Sequence, residues 1–365
     1  MNRTLIAMAL MGLCASNLMA QDGPPRGKVD VVFCVDRSGS MDRVIETAKR
    51  KIWTIVNEVA QQKPTPILRI GLIGYGSADQ DIKFFPLSTD LDKVYENLST
   101  FRCDMGGDEW VGWALLQAVN RMEWAAERKS LKMIFMVGNE TAMQGTEANF
   151  YTKTAPQALK KDITVNAIYC GKPNPEEEKT WRELAALSDG LYSQIDLSGG
   201  EVTIQTPQDK ALVDLNQKLN ATYLPFGRLG AAGKDKQMEA DRKTAGAGAA
   251  PAEAARTVAK ANAVYNNKAW DLVDACKEKE FDLNKLKTED LPQEMQKMTP
   301  EERKAHLDKM NKERETIQKE IVKVSAERQK FIDAEMKKQN LSADQSFDAA
   351  VRRTIQEQAA KQANK

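Results

Sequence analysis

Apolar and polar positions alternate in blocks from Lys28 to about Tyr223. Val29 to Val35 (VDVVFCV) is a near-continuous apolar run, as expected of a parallel strand covered on both faces. In the stretch after it, Val44, Ala48, Ile52, Ile55 and Val59 fall on one helical face. Leu68 to Tyr75 (LRIGLIGY) predicts a second strand. Ile82 to Leu87 (IKFFPL) predicts a third, which Pro86 confines to an edge or a strand end. A helix beginning near Glu109 carries Trp113, Leu116, Val119 and Met122. The strand Met133 to Val137 follows, then a helix around Ala155 to Leu159 and the strand Ile163 to Tyr169. A helix from Pro175 to Leu187 opens on Glu176, Glu177 and Glu178, which suit its positive end. Leu191 to Ile195 is a last strand and Pro207 to Thr222 a closing helix. Strands separated by helices of this length predict an α/β fold with a doubly wound, mainly parallel sheet.

The pattern changes after Phe226. Residues 227–250 are rich in Gly, Ala and Lys and read as a flexible linker. Residues 251–365 read as a charged helical region. Thr299-Pro300-Glu301-Glu302 is a helix start, with Thr as the cap, Pro at the first position and Glu at the third. Within that helix Met310, Ile317, Val324 and Phe331 recur every seven residues, while Leu307 and Ile321 begin a second seam that Arg314 and Arg328 interrupt. A helical hairpin or short coiled coil fits, and so does a solvated helix packed on a neighbour. Ser342 with Gln345 marks one more helix start.

The 365 residues suffice for one ordinary domain and a substantial appendage. Lys and Arg number 53 against 52 Asp and Glu, so charge gives no reason to expect a dedicated binder of nucleic acid or of an anionic membrane. Arg3, the apolar stretch Leu5 to Leu13 and the small residue Ala20 read as a signal peptide over residues 1–20, with a periplasmic or secreted mature chain. An uncleaved N-terminal anchor is the alternative. Leu13 before Cys14 argues against a lipoprotein. Beyond Ala20 stand Cys34, Cys103, Cys170 and Cys276, whose disulfide pairing the spacing leaves open, although Cys34 lies inside an expected core strand. The only histidine, His306, is in the charged region, so a Ser-His or Cys-His pair within the domain is not expected.

In an open parallel sheet, ligands bind beyond the carboxyl ends of the central strands. Asp36, Ser38 and Ser40 stand there, directly after the first strand, with Gly39 to ease the turn. One carboxylate and two hydroxyls are hard oxygen ligands that suit Mg²⁺, Mn²⁺ or Ca²⁺ better than zinc. Helix capping by Asp36 and Ser40 is the structural alternative.

An apolar strand ending in Asp36-Arg37-Ser38-Gly39-Ser40-Met41 resembles the von Willebrand factor type A domain and its metal-ion-dependent adhesion site. The resemblance spans roughly residues 28–224, including strand and helix order. It implies a Rossmann-like fold and a divalent ion, Mg²⁺ before Mn²⁺ or Ca²⁺, held by Asp36, Ser38, Ser40 and two further loops. There the sequence departs from the family. Asp108 follows Gly106-Gly107 where Thr is usual, and Asn139 stands where Asp is usual. Asp36 with Asp108 would still supply two carboxylates, so the expected metal set is Asp36, Ser38, Ser40, Asp108 and Asn139. A decayed, metal-free site is the alternative. The resemblance further implies a protein partner that completes the ion with an acidic residue. Trp110, Tyr75, Glu109 and Glu140 are expected on the rim.

The implied function is an exported adhesion or assembly module, not an enzyme. A metal-dependent hydrolase using Asp36 and Asp108 is the weaker alternative, because the sole His is remote. Gly227 to Lys234 ends in Gly-Lys but lacks phosphate-loop spacing, a following Ser or Thr, and a preceding strand. A third possibility is homo-oligomerisation through the C-terminal helices.

Overall fold

The computed structural model describes residues 27–77, 82–104, 106–127, 129–195, 203–246, 250–339 and 347–363. The expected signal peptide and the start at Ser342 lie outside these. Six strands form one sheet: β1 (Lys28–Asp36), β2 (Ile67–Tyr75), β3 (Lys83–Ser88), β4 (Leu131–Gly138), β5 (Thr164–Tyr169) and β6 (Tyr192–Gln194). Their order is β3-β2-β1-β4-β5-β6. Only β3 runs antiparallel, on the edge where Pro86 placed it. All the expected strands are present. β1 alternates between two cores: Val29, Val31, Phe33 and Val35 face one side, Val32 and Cys34 the other. Double coverage explains the unbroken apolar run.

Helices α1 (Asp42–Ala60), α2 (Leu91–Ser99) and α6 (Pro207–Asn220) contribute to the first core, while α3 (Val111–Arg121), α4 (Tyr151–Lys160) and α5 (Pro175–Ala186) build the second. The buried stripe of α3 is Val111, Ala114, Leu115, Ala118 and Val119, not the Trp113 and Leu116 face expected. Small residues win there because α4 lies close against it: a side chain on Gly112 would meet the Tyr151 backbone nitrogen, at the start of α4, at 2.5 Å.

The chain beyond Phe226 departs most from expectation. Gly230–Gly246 is a helix, α7, so the flexible linker expected over 227–250 is corrected to packed structure over most of its length. It buries Gln237, Ala240 and Thr244. With α8 (Ala250–Ala261), α9 (Leu272–Ala275), α10 (Pro300–Lys338) and α11 (Phe347–Ala363), it lies outside the first helical layer. α8 and α11 pack on α1, α7 packs on α2, and α10 packs on α6 and α8. Ala254, Ala255, Ile321, Val351 and Ile355 join the same core as β1 and α1.

Buried ions stitch these layers. Arg256 on α8 reaches Asp92 on α2 at 2.8 Å, pairs with Asp241 on α7, and lies 4.5 Å from the Trp53 ring centre. Lys260 holds Asp241 at 3.0 Å and Asn216 at 2.8 Å, and the Tyr265 hydroxyl donates to Asp92 at 2.6 Å. Burial alone would raise Asp241, but Arg256, Lys260 and Asn220 outweigh it and hold its carboxyl well below the usual carboxylate range. On α10, capped by Thr299 and Glu302 as expected, the seam is Leu307, Arg314, Ile321 and Val324. Arg314 does not interrupt it. Its guanidinium binds Asp271 at 2.6 Å, Asp274 at 3.1 Å and the Thr222 hydroxyl at 3.0 Å. Arg328 pairs with Asp209 at 2.6 Å. The seam therefore faces its own chain, and Phe331 is exposed beside it. No described helix is long and apolar enough to cross a membrane.

Candidate functional site

β1 ends at Asp36, level with Tyr75 of β2, and the chain turns there into α1. The Arg37 amide bonds the Tyr75 carbonyl at 2.9 Å, extending the ladder by one step. Arg37 itself turns away from the loop, onto Asp104 and the Arg102 carbonyl. Asp36 is fully buried. Its Oδ1 accepts the Ser38 amide at 2.7 Å and its Oδ2 accepts the Ser38 hydroxyl at 3.0 Å. The Ser38 and Ser40 hydroxyls are 2.9 Å apart, and Ser40 donates to Asn139 Oδ1 at 3.3 Å. Asp36, Ser38, Ser40 and Asn139 thus form one chain of oxygen atoms across the ends of β1 and β4. The cap positions of the short turn and of α1 are Ser38 and Met41, not the Asp36 and Ser40 of the capping alternative, and neither makes a side-chain capping hydrogen bond.

The second carboxylate is not the one expected. Asp108 is exposed and is not among the groups acting most strongly on Asp36. Its neighbour Glu109, expected on the rim, is 3% exposed, and its carboxyl lies close enough to Ser38 and Asp36 for each to act on its titration. The reason lies in the backbone. Gly107, at φ 80°, turns the chain, and the Trp110 amide bonds the Gly76 carbonyl at 3.0 Å, which draws Glu109 against the strand ends. The Glu109 amide in turn donates to Gln144 Oε1.

Other rim assignments change too. Tyr75 is fully buried beneath the site, its hydroxyl donating to the Val137 carbonyl at 3.1 Å, because residue 75 shares a face with Ile73 inside the second core. Trp110 is half-buried against Gly145. Glu140 is exposed. Cys34, Cys103, Cys170 and Cys276 are all free thiols, and burial pushes the Cys34 and Cys170 thiols up.

Electrostatics follow from this crowding. Burial pushes Glu109 up to about 8, and the charges of Asp36 and Glu140 add to it. Burial also pushes Asp36 up to about 6, against the Ser38 hydrogen bonds and with Glu140 adding. The charges acting most strongly on both are carboxylates. Such a pair is relieved by a proton or by a cation. Two carboxylates, two hydroxyls and an amide oxygen match the preferences of a hard divalent ion. Among the described residues no group of three or more His, Cys, Asp or Glu side chains could hold a metal, so the neutral oxygens would be indispensable to an ion here.

Residues 30–195 match the family model described as the von Willebrand factor type A domain. No curated protein matches the chain. Solved structures similar to it include a conserved hypothetical protein, BatB, from Bacteroides thetaiotaomicron, at 19% identity and a TM-score of 0.37, covering 46% of this chain and 90% of that one. Another is a von Willebrand factor type A protein from Catenulispora acidiphila, at 17% identity and 0.37, covering 47% and 39%. A third is proximal thread matrix protein 1 from the mussel byssus, its adhesion-site motif occupied by zinc, at 15% identity and 0.38, covering 47% and 44%. Strand order, the Asp36–Ser40 loop and the family match agree: residues 30–195 of this chain are a von Willebrand factor type A domain.

Proposed function

We propose that the protein is a non-enzymatic interaction module whose docking site is organised by a divalent cation, Mg²⁺ in the first instance. Asp36, Ser38, Ser40, Asn139 and Glu109 would hold the ion. When bound, it supplies a coordination position that an oxygen of a protein partner completes. The observation that carries this reading is the pair of buried carboxylates, Asp36 and Glu109, each acting on the other's titration, with Asp36 joined to three neutral oxygens. Burying two like charges together is costly unless a cation or a proton compensates them. The chain's one histidine, His306, sits on α10, outside the strands and loops that build the site. Export belongs to the same reading and rests on Arg3, Leu5 to Leu13 and Ala20.

A metal-free scaffold is favoured by one specific observation: with Glu109 pushed up to about 8, a proton retained there at neutral pH would also neutralise the pair. Titration separates the two readings. Mn²⁺ or Mg²⁺ added to the protein should bind saturably and raise the melting temperature. Asp36→Ala should lose more affinity than the roughly 10–100-fold typical of an outer-sphere partner. Equal thermal shifts in both proteins, or none in either, would leave the metal-free scaffold.

A further inference from the structure

We propose that Glu140 makes this site selective for a partner offering a neutral oxygen with a basic side chain beside it, and selective against a carboxylate. The inference rests on the cation reading above and deepens it. Asn139 belongs to the oxygen chain, and Glu140 follows it directly. Glu140 is exposed but not loose. Its carbonyl accepts the Trp181 indole N–H at 2.6 Å, and its Oε2 accepts Gln144 Nε2 at 2.9 Å. The other end of that same amide, Gln144 Oε1, accepts the backbone N–H of Glu109. A single side-chain amide therefore spans from the Glu109 backbone to the Glu140 carboxylate and pins the charge of Glu140 beside the site. That charge acts on both Asp36 and Glu109.

The charge count decides the partner. Asp36 and Glu109 alone would neutralise a divalent ion. With Glu140 held alongside, the assembly carries one net negative charge. An incoming carboxylate would double it at close range, in a partly buried setting where water screens poorly. A hydroxyl or carbonyl oxygen adds no charge, and a Lys or Arg next to it pairs with Glu140. The approach is open, since a side chain built on Gly39 or Gly106 would meet nothing within 4 Å.

Acetate tests this with Mn²⁺ as the bound ion and water-proton relaxation as the readout, because acetate that enters the coordination sphere displaces relaxing water. The full protein and Glu140→Gln are compared, with Mn²⁺ affinity measured first in each. Removing one neighbouring charge, with screening between protein surface and water, should tighten acetate binding by about five-fold. Acetate binding equally to both proteins, with Mn²⁺ bound, would overturn the inference and leave the cation site standing. Failure of Mn²⁺ to bind the unaltered protein would overturn the cation reading, and this inference with it.

Discussion

Arg256→Leu should cost about 3–5 kcal/mol of unfolding free energy, because it takes the guanidinium away from buried Asp92 and part-buried Asp241. Asp92 would keep only the Tyr265 hydroxyl and cannot reach water without opening the contact between α2, α7 and α8, whereas Asp241, 13% exposed, would keep Lys260. The cation over the Trp53 ring goes too. An exposed pair is the control. Lys210 and Asp214 are 83% and 53% exposed, so Lys210→Ala should stay within about 0.5 kcal/mol of the parent. Urea denaturation measures both. The wild-type network carries a pH signature as well. Asp241 titrates below its usual 3.8 when folded, so its contribution is present above that pH and lost as pH falls through the folded value. The parent should therefore weaken below about pH 4 more steeply than Arg256→Leu. A loss under 1 kcal/mol in the variant would show that the network contributes little.

Ending the chain at Phe226 should remove most of the stability of the sheet domain, although the family match itself stops at residue 195. Trp53 donates to Thr244 at 3.3 Å and lies under Arg256, and its ring centre is 5.2 Å from that of Tyr95. Truncation uncovers both rings together with the face of α1 that α8 and α11 cover. Each large apolar side chain returned to water costs about 1.5–3 kcal/mol. Two or three of them approach the roughly 5–15 kcal/mol that a domain has in total. The fragment should aggregate or melt without a cooperative transition, whereas the full chain should unfold as one unit. A fragment that melts sharply near the full-length temperature would contradict this account.

What could be read in advance followed the size of the signal. Strands buried on both faces announce themselves as apolar runs, and β1, β2 and β4 did so. Helix α7 did not, since its buried face is Gly230, Gly233, Gln237, Ala240 and Thr244, at helical spacing but without a large hydrophobe. Gly233 there is needed for contact, as a side chain on it would strike the Trp270 ring at 2.2 Å. Arg314 looked like a break in an apolar seam because its partners, Asp271 and Asp274, come from a distant segment. Alternation along β2 placed Tyr75 beside Ile73, a signal for burial that outweighed its position at a strand end. The Asp36–Ser40 loop was legible because its carboxylate and two hydroxyls lie within five consecutive residues. The choice between Asp108 and Glu109 was not. Adjacent carboxylates cannot be separated by spacing, and the decision falls to the turn at Gly107 and the Trp110–Gly76 hydrogen bond.

That choice is the centre of the functional account, and calorimetric titration with Mn²⁺ tests it most directly. Glu109→Gln keeps the shape and hydrogen-bonding reach of the side chain but removes its charge, while Asp108→Asn does the same one residue earlier. The structure predicts that Asp108→Asn binds Mn²⁺ within about two-fold of the parent, as suits an exposed charge screened by solvent. Glu109→Gln should lose at least about 10-fold. Loss in Asp108→Asn with Glu109→Gln unaffected would contradict the account and return the second carboxylate to Asp108.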